Sequence, residues 1–549
     1  MKLSQKIGAA LALCAAAALL PPSIFAQAVR STSLDVSSTA TPVAIPAAIH
    51  TLTLEAARAP AAPSSLYDER AWLARFYAPR NYAPAWNAST AAAALWVLRR
   101  AKLQGLDPRD YGTDALERRQ RAGAADGARS DVAQFDVALT TAMLHYLADL
   151  RVGRVRSEYH TRLPDARLKG YDPVERLRAG LAGGRLQAAV QAAEPQIRQY
   201  AQVKAALAQY RALAGQPYPA LPRPAAKVAS GGAYPAAQAL HARLVLLGDL
   251  AADTPAPARG SYSLQLSEGV RRFQARHGID EDGVLGRGTV DALNVKPARR
   301  VRQLELTLER LRWLPDVGPG PLIIVNLPAY RLWAFPDSGA QTPLEMRVVV
   351  GTAVKTETPL FVGQLRYLEF NPYWNVPRSI LEKELLPKLA RDPGYLAHNE
   401  METVPAGASL ADLKAGRARV RQRPGPTNSL GAVKFAMPNP MDIYLHSTPA
   451  REAFQRSRRD LSHGCIRVEY PAALAQYVLG RQRPWTPDAV LAALQPGPTR
   501  HVDLAHAIPV VIFYATAVVD SKGKARFAAD IYGRDPKLER ELAARRPAA

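Results

Sequence analysis

Two side chains in this sequence are placed to do covalent chemistry together. Cys465 stands in Ser462-His463-Gly464-Cys465-Ile466-Arg467-Val468, and His446 lies 19 residues upstream at the end of a strand-like run, followed by Ser447. A thiol attacks a carbonyl usefully as thiolate, so it needs an imidazole neighbour or a helix-terminal field to lower its pKa. On extended chain Tyr444 and His446 share one face, as do His463 and Cys465. If the two segments approach, Cys465 gains an imidazole partner from another strand and one from its own. Gly464 permits close substrate approach and lets the Gly464 and Cys465 N–H groups point at an oxyanion. Pro471 then opens an apolar helix (Leu474, Val478, Leu479) that anchors the loop. A lone cysteine is ordinarily a small buried hydrophobe. Beside His and Gly, ahead of a helix, this one reads as a nucleophile.

The rest of the chain isolates that thiol. Among 549 residues the only other cysteine is Cys14, which excludes a disulfide framework and any multi-cysteine zinc or iron–sulfur site. Cys14 falls in a stretch with Lys2 and Lys6, an apolar run from Ile7 to Leu20, Pro21-Pro22 and Ala26-Gln27-Ala28. This is the pattern of a secretory signal peptide over residues 1–28. Leu13 ahead of Cys14 argues against a lipoprotein anchor, and no later stretch is apolar enough to span a bilayer. The expectation is an exported protein with no stable membrane anchor. A formal net charge of +23 ordinarily suggests nucleic acid, but an exported protein meets an anionic wall or membrane surface instead. Because Lys and Arg are scattered, the charge serves solubility first and weak attraction to anionic material second.

At about 150 residues per domain, the length predicts three or four folding units. Residues 29–62, rich in Ala, Ser, Thr and Pro, read as a linker. Residues 63–210 read as an all-α scaffold, with a helix through Leu95 and Leu98 capped near Gly105 and another carrying Phe135, Leu139, Met143 and Leu147. His145 in that second helix reads as packed or on the surface, and no catalytic residue types concentrate in the region. A second linker, 211–233, precedes a small helical unit at 234–296, with a tight turn at Asp282-Gly283. An amphipathic connector helix (Leu304, Leu308, Leu311) is expected within 297–320. The remainder, 321–540, is a mostly β domain: Leu322–Val325, Met346–Val350, Ala432–Phe435, Ile443–His446 and Val510–Tyr514 are β-rich runs punctuated by Gly and Pro. A helical insertion is expected at about 380–423 and a tail at 541–549.

Two resemblances give these units meaning. Phe273-Gln274, His277-Gly278-Ile279, Asp282-Gly283-Val284, Thr289 and Ala292-Leu293-Asn294 resemble the core of a peptidoglycan-binding module, which implies a three-helix bundle. His446 with Ser462-His463-Gly464-Cys465 resembles the signature of L,D-transpeptidases with a YkuD-like domain. Asn371-Pro372-Tyr373-Trp374-Asn375-Val376-Pro377, Asn428-Ser429-Leu430-Gly431 and Pro438-Asn439 support it. The closest likeness is to the large periplasmic branch, with an α-helical scaffold domain and a capping insertion in the catalytic domain. This likeness implies Cys465 as nucleophile, His446 as general base, Ser447 orienting His446, and His463 and Gly464 shaping the oxyanion site. Tyr444 and Trp374 would line the substrate groove, and Arg467 would meet a substrate carboxylate. No metal or cofactor is implied. The expected partners are peptidoglycan tetrapeptide stems, and carbapenem-type inhibitors would acylate Cys465. The implied reaction releases D-Ala and forms a 3→3 diaminopimelate cross-link in the periplasm of a Gram-negative bacterium. Alternatives are an L,D-carboxypeptidase, attachment of a lipoprotein lysine, and a non-catalytic wall-binding scaffold.

Overall fold

The computed structural model describes residues 44–58, 69–126, 129–162, 170–316, 318–336, 342–480 and 482–544. The signal peptide expected at 1–28 lies outside the described residues, as do 545–549. Among the described residues, no helix is long and apolar enough to cross a membrane. The chain divides into two compact units. One comprises Met1–Lys102, Leu106–Leu150 and Tyr171–Ala193; the other comprises Leu103–Gly105, Arg151–Gly170 and Glu194–Ala549.

The first unit is helical. Helix Ala88–Arg99 starts at a capping box, in which the Asn87 side chain accepts from Thr90 N at 2.9 Å and Thr90 Oγ1 accepts from Asn87 N at 3.0 Å. Helix Arg129–Val152 supplies Ala133, Val137, Met143, Leu144 and Leu147 to the core. Its His145 meets Glu69 at 3.0 Å. The linker expected at 29–62 is corrected in part, because Ala44–Arg58 is a helix. Ile45, Ile49, Leu52 and Ala56 recur at helical spacing and pack on this core. Their period was hidden by the surrounding Ala, Thr and Pro.

The helices of the expected scaffold, 63–210, contribute to both compact units. Residues 151–162 and helix Arg198–Ala214 fall in the second. There Tyr200, Val203 and Leu207 share a core with Leu304, Leu308 and Leu311 of helix Pro297–Arg312. That helix is a buried spine rather than a simple connector. Arg312, fully buried, donates to Gln104 O and to Tyr200 Oη at 2.9 Å, and pairs with Glu309 at 3.2 Å. Charge buried this deeply is tolerated because each donor finds an acceptor.

Helices Ala237–Leu246, Leu264–His277 and Arg287–Leu293 form a small bundle around Leu240, Leu244, Leu266, Val270, Phe273 and Val290. Gln274 pins its turn by donating to Asp282 Oδ1 at 2.9 Å and Val284 O at 3.1 Å while accepting from Gly283 N at 2.8 Å. The chain before it, expected as a linker, is clamped: Leu221 is buried in the bundle core, and Tyr218 donates to Leu293 O at 3.0 Å.

The expected β domain is a closed barrel. In chain order its strands are β1 (Leu322–Asn326), β2 (Arg331–Phe335), β3 (Leu344–Gly351) and β4 (Phe361–Phe370). After an insertion carrying β5 (Trp374–Asn375), β6 (Met401–Val404) and β7 (Arg419–Gln422) come β8 (Val433–Ala436), β9 (Leu445–His446), β10 (Asp460–Ser462), β11 (Ile466–Val468) and β12 (Arg500–Phe513). The sheet order is β10-β3-β11-β9-β8-β4-β12-β1-β2, and β2 pairs back to β3. β12 runs parallel to β1 and antiparallel to β4. Leu332, Leu368, Phe435, Leu445, Ile466 and Val510 fill the interior, the period-2 face of each strand.

The insertion is its own small layer, with sheet order β5-β7-β6 and a core of Val376, Leu381, Leu385, Met401, Leu413 and Val420. It begins at Trp374, ahead of the expected position 380. A strand of two residues carries too little periodicity to be seen in sequence. Beyond the barrel, β13 (Ala517–Val519) and β14 (Ala525–Phe527) form a hairpin. Helix Arg534–Ala544 corrects the expected tail, since Leu538 and Leu542 are buried.

Candidate active site

The loop carrying Cys465 is held through its carbonyls. Ser462 O accepts from Thr352 N at 2.9 Å and Thr356 Oγ1 at 3.0 Å, and Gly464 O accepts from Thr358 Oγ1 at 2.7 Å. Ser462 Oγ donates to Cys465 O at 2.5 Å and accepts from Gly464 N at 3.2 Å. Gly464 has φ +121°, a conformation that L side chains rarely adopt. These bonds refine the expectation for the oxyanion site. The Gly464 N–H is engaged within its own loop, whereas the Cys465 N–H has no acceptor among the described residues.

β9 and β11 run parallel, with Leu445 opposite Ile466 and His446 opposite Arg467. Tyr444, His446, Cys465 and Arg467 therefore share the face turned away from the barrel core. The thiol donates to Asp442 O at 3.4 Å. Asp442 presents that carbonyl from a left-handed conformation, φ +52°. Burial pushes the Cys465 thiol up, opposed by the backbone and side chain of Tyr444 and by Lys434. Burial and then the sulfur itself push the Tyr444 phenol up.

His446 is buried. Its Nδ1 donates to Ser447 O at 2.6 Å, which leaves Nε2 as the basic nitrogen. Burial, followed by the nearby Arg467, lowers its pKa to about 3. The thiol, in the loop just ahead of β11, and the imidazole on β9 thus rest uncharged, without a hydrogen bond between them. Ser447 is tied on every side: its N–H donates to Val433 O at 2.9 Å, and its hydroxyl accepts from Val433 N and donates to Leu430 O, both at 3.0 Å. Gly431, at φ +62°, closes over that hydroxyl, where a Cβ would overlap Ser447 Oγ.

The other expected residues divide. Arg467 flanks His446, its Nε buried with no hydrogen-bond partner among the described residues. His463 turns outward to Glu384 of the insertion at 2.6 Å. Trp374 packs against the insertion core. Sequence reasoning missed Asp442, Thr358 and Glu384. It also gave no role to Lys434, which lies opposite His446, pairs with Glu369 at 2.8 Å and sits 5.0 Å from the Tyr444 ring. Alternation along β8, with Val433 and Phe435 facing inward, was the signal that could have placed Lys434 beside His446.

A thiol, a neutral imidazole and a backbone N–H with no acceptor among the described residues are the kinds of group that acyl transfer through a thioester needs. Three segments of the chain match known domain families. Residues 320–512 match the YkuD family model, described as "L,D-transpeptidase catalytic domain". Residues 71–207 match "Scaffold domain" and residues 234–293 match "Putative peptidoglycan binding domain". A Haemophilus influenzae protein named "Putative L,D-transpeptidase" is 33% identical over 252 residues, covering 44% of this chain and 50% of that relative. The chain thus spans about half the length of the curated relative it matches. A solved L,D-transpeptidase from Xylanimonas cellulosilytica is 16% identical, covering 54% of this chain and 100% of its own, with a TM-score of 0.18. Another from Stackebrandtia nassauensis is 14% identical, covering 54% and 96%, with a TM-score of 0.21. Three segments of the chain thus match, in order, a scaffold domain, a peptidoglycan-binding domain and an L,D-transpeptidase catalytic domain of the YkuD kind.

Proposed function

We propose that this protein forms 3→3 peptidoglycan cross-links through a thioester on Cys465. The observation that supports the reading is the pairing of β9 with β11, which puts His446 and Cys465 on one face of the sheet within a segment that matches a transpeptidase domain. The thiol sulfur attacks the diaminopimelate carbonyl of a tetrapeptide stem while His446 Nε2 takes its proton. The oxyanion meets the Cys465 N–H. Collapse breaks the C–N bond, and the imidazolium returns the proton to the departing D-Ala amine. A second diaminopimelate amine then attacks the thioester, gives its proton to His446, and expels the sulfur, which regains a proton. Arg467, with an open donor beside His446, receives a stem carboxylate. The insertion excludes water so that an amine is the acceptor. Action in the periplasm follows from the export pattern of residues 1–28.

Incubation of the purified protein with disaccharide-tetrapeptide, read by mass spectrometry, tests this. Cross-linked dimers with released D-Ala are expected. Tripeptides alone would make water the acceptor, and unchanged substrate would sink the catalytic reading. Cys465→Ala abolishes D-Ala release while retaining sacculus binding. A carbapenem adds its mass at Cys465; a shift mapped elsewhere counts against the site.

A further inference from the structure

A second cleft, of about 1020 Å³, lies away from Cys465 and His446. One wall is the peptidoglycan-binding domain, residues 275–282. The other is the barrel, including 328–331, 345–347 and 455–459. On the barrel wall Arg459 is only 8% exposed. It donates to Arg456 O through Nη1 and lies 5.0 Å from the Tyr330 ring, but its Nε is buried without an acceptor. No carboxylate among the described residues pairs with it. Burial, and after it the charges of Arg331 and Arg347, push its pKa down to about 10. A buried cation with an open donor, crowded by like charges, is an anion site. Arg456 beside it is exposed and likewise has no carboxylate partner among the described residues. The facing wall is of opposite sign: Asp280 and Glu281 are exposed and have no cation partner among the described residues.

We propose that this cleft binds a peptidoglycan stem peptide as a zwitterion, with a carboxylate on Arg459 and Arg456 and a free amine on Asp280 and Glu281. The inference rests on the peptidoglycan reading above and adds a second stem site to it. A diaminopimelate side chain ends in an ammonium and a carboxylate on one carbon, which suits walls of opposite charge. A polyanion would meet repulsion from the acidic wall. The volume lies at the top of the range of about 300–1,000 Å³ that holds a drug-sized ligand.

The test is photo-crosslinking of the full chain with a diazirine-bearing tetrapeptide, adducts being mapped by mass spectrometry. Two sets are expected, one within 275–282 and 455–459 and one near Cys465. Arg456→Glu weakens cleft labelling about tenfold. Arg459→Lys, which keeps the buried charge, also weakens it, and circular dichroism confirms that both variants fold. Acetylating the diaminopimelate amine removes cleft labelling, and polyphosphate at matched ionic strength does not compete. Labelling near Cys465 alone overturns this inference and leaves the proposed function standing; labelling in the cleft alone does the reverse. No labelling at either place overturns both. Cleft labelling that survives acetylation or Arg456→Glu, or that polyphosphate displaces, overturns the zwitterion site.

Discussion

An uncharged imidazole beside an uncharged thiol is the resting state that burial imposes on His446 and Cys465. Two outcomes follow for pH. The acid limb of the rate profile falls well below the ordinary histidine value of about 6.5, because Nε2 stays basic down to about pH 3. Alkylation of Cys465 by iodoacetamide is slow at pH 7 and accelerates above the ordinary thiol value of about 8.5. A fast, pH-independent alkylation between pH 6 and 8 would mean a thiolate–imidazolium pair instead. Stability carries the same signature. The unfolded chain protonates His446 near pH 6.5 while the folded chain does not until about pH 3, so its contribution is present above pH 6.5 and lost as pH falls between those values. His446→Gln removes that part of the slope, measurable as urea midpoints at pH 7 and pH 5. Equal slopes in the two proteins would show that His446 is not buried neutral.

At the scale of elements, the site is assembled by turns more than by strands. Ser447 joins the Leu430–Val433 turn to β9 and holds His446 through its carbonyl. Ser447→Ala leaves the buried Val433 N–H without its hydroxyl acceptor and costs about 1–3 kcal/mol, read as a lower urea midpoint. The His463–Glu384 contact is different in kind, since it spans from the nucleophile loop to the insertion and both residues are exposed. Glu384→Ala leaves the melting temperature within about 1–2 °C and raises the ratio of tripeptide to cross-linked product, because the insertion then excludes water less well. An unchanged ratio would separate that contact from acceptor choice. The shared face of Cys465 and His446 was legible in sequence because their spacing is local and strand alternation assigns it. Asp442, Thr358 and Glu384 were not, since what recruits them is a backbone carbonyl or a contact across 79 to 106 residues of chain. The barrel was legible as β-rich runs, but its closure was not: the pairing of β2 with β3, and of β1 with β12, leaves no local trace. The helix Ala44–Arg58 was missed for a plainer reason. Four apolar residues among Ala, Thr and Pro look like linker composition.

At the scale of the molecule, the second unit is joined by buried charge as well as apolar contact. Arg276 of the small bundle pairs with Asp249 at 2.5 Å and donates to Ala525 O at 2.8 Å on the hairpin. Asp249→Ala strands that guanidinium and is expected to cost about 3–5 kcal/mol, seen as a drop in melting temperature that Asp249→Asn partly restores. Equal melting temperatures for wild type and Asp249→Ala would show that the pair holds nothing. The place of β12 in the sheet also orders events in time. β12, residues 500–513, lies between β4 and β1. Until that stretch of chain exists the barrel stays open between β4 and β1, and Tyr532, which donates to Gly351 O at 2.6 Å beside the threonines that hold the Cys465 loop, is made later still. The loop around Cys465 therefore gains its full surroundings only after residues 500–532 have left the ribosome. A chain that stops ahead of β12 is born with its thiol but without the strand and the phenol that frame it.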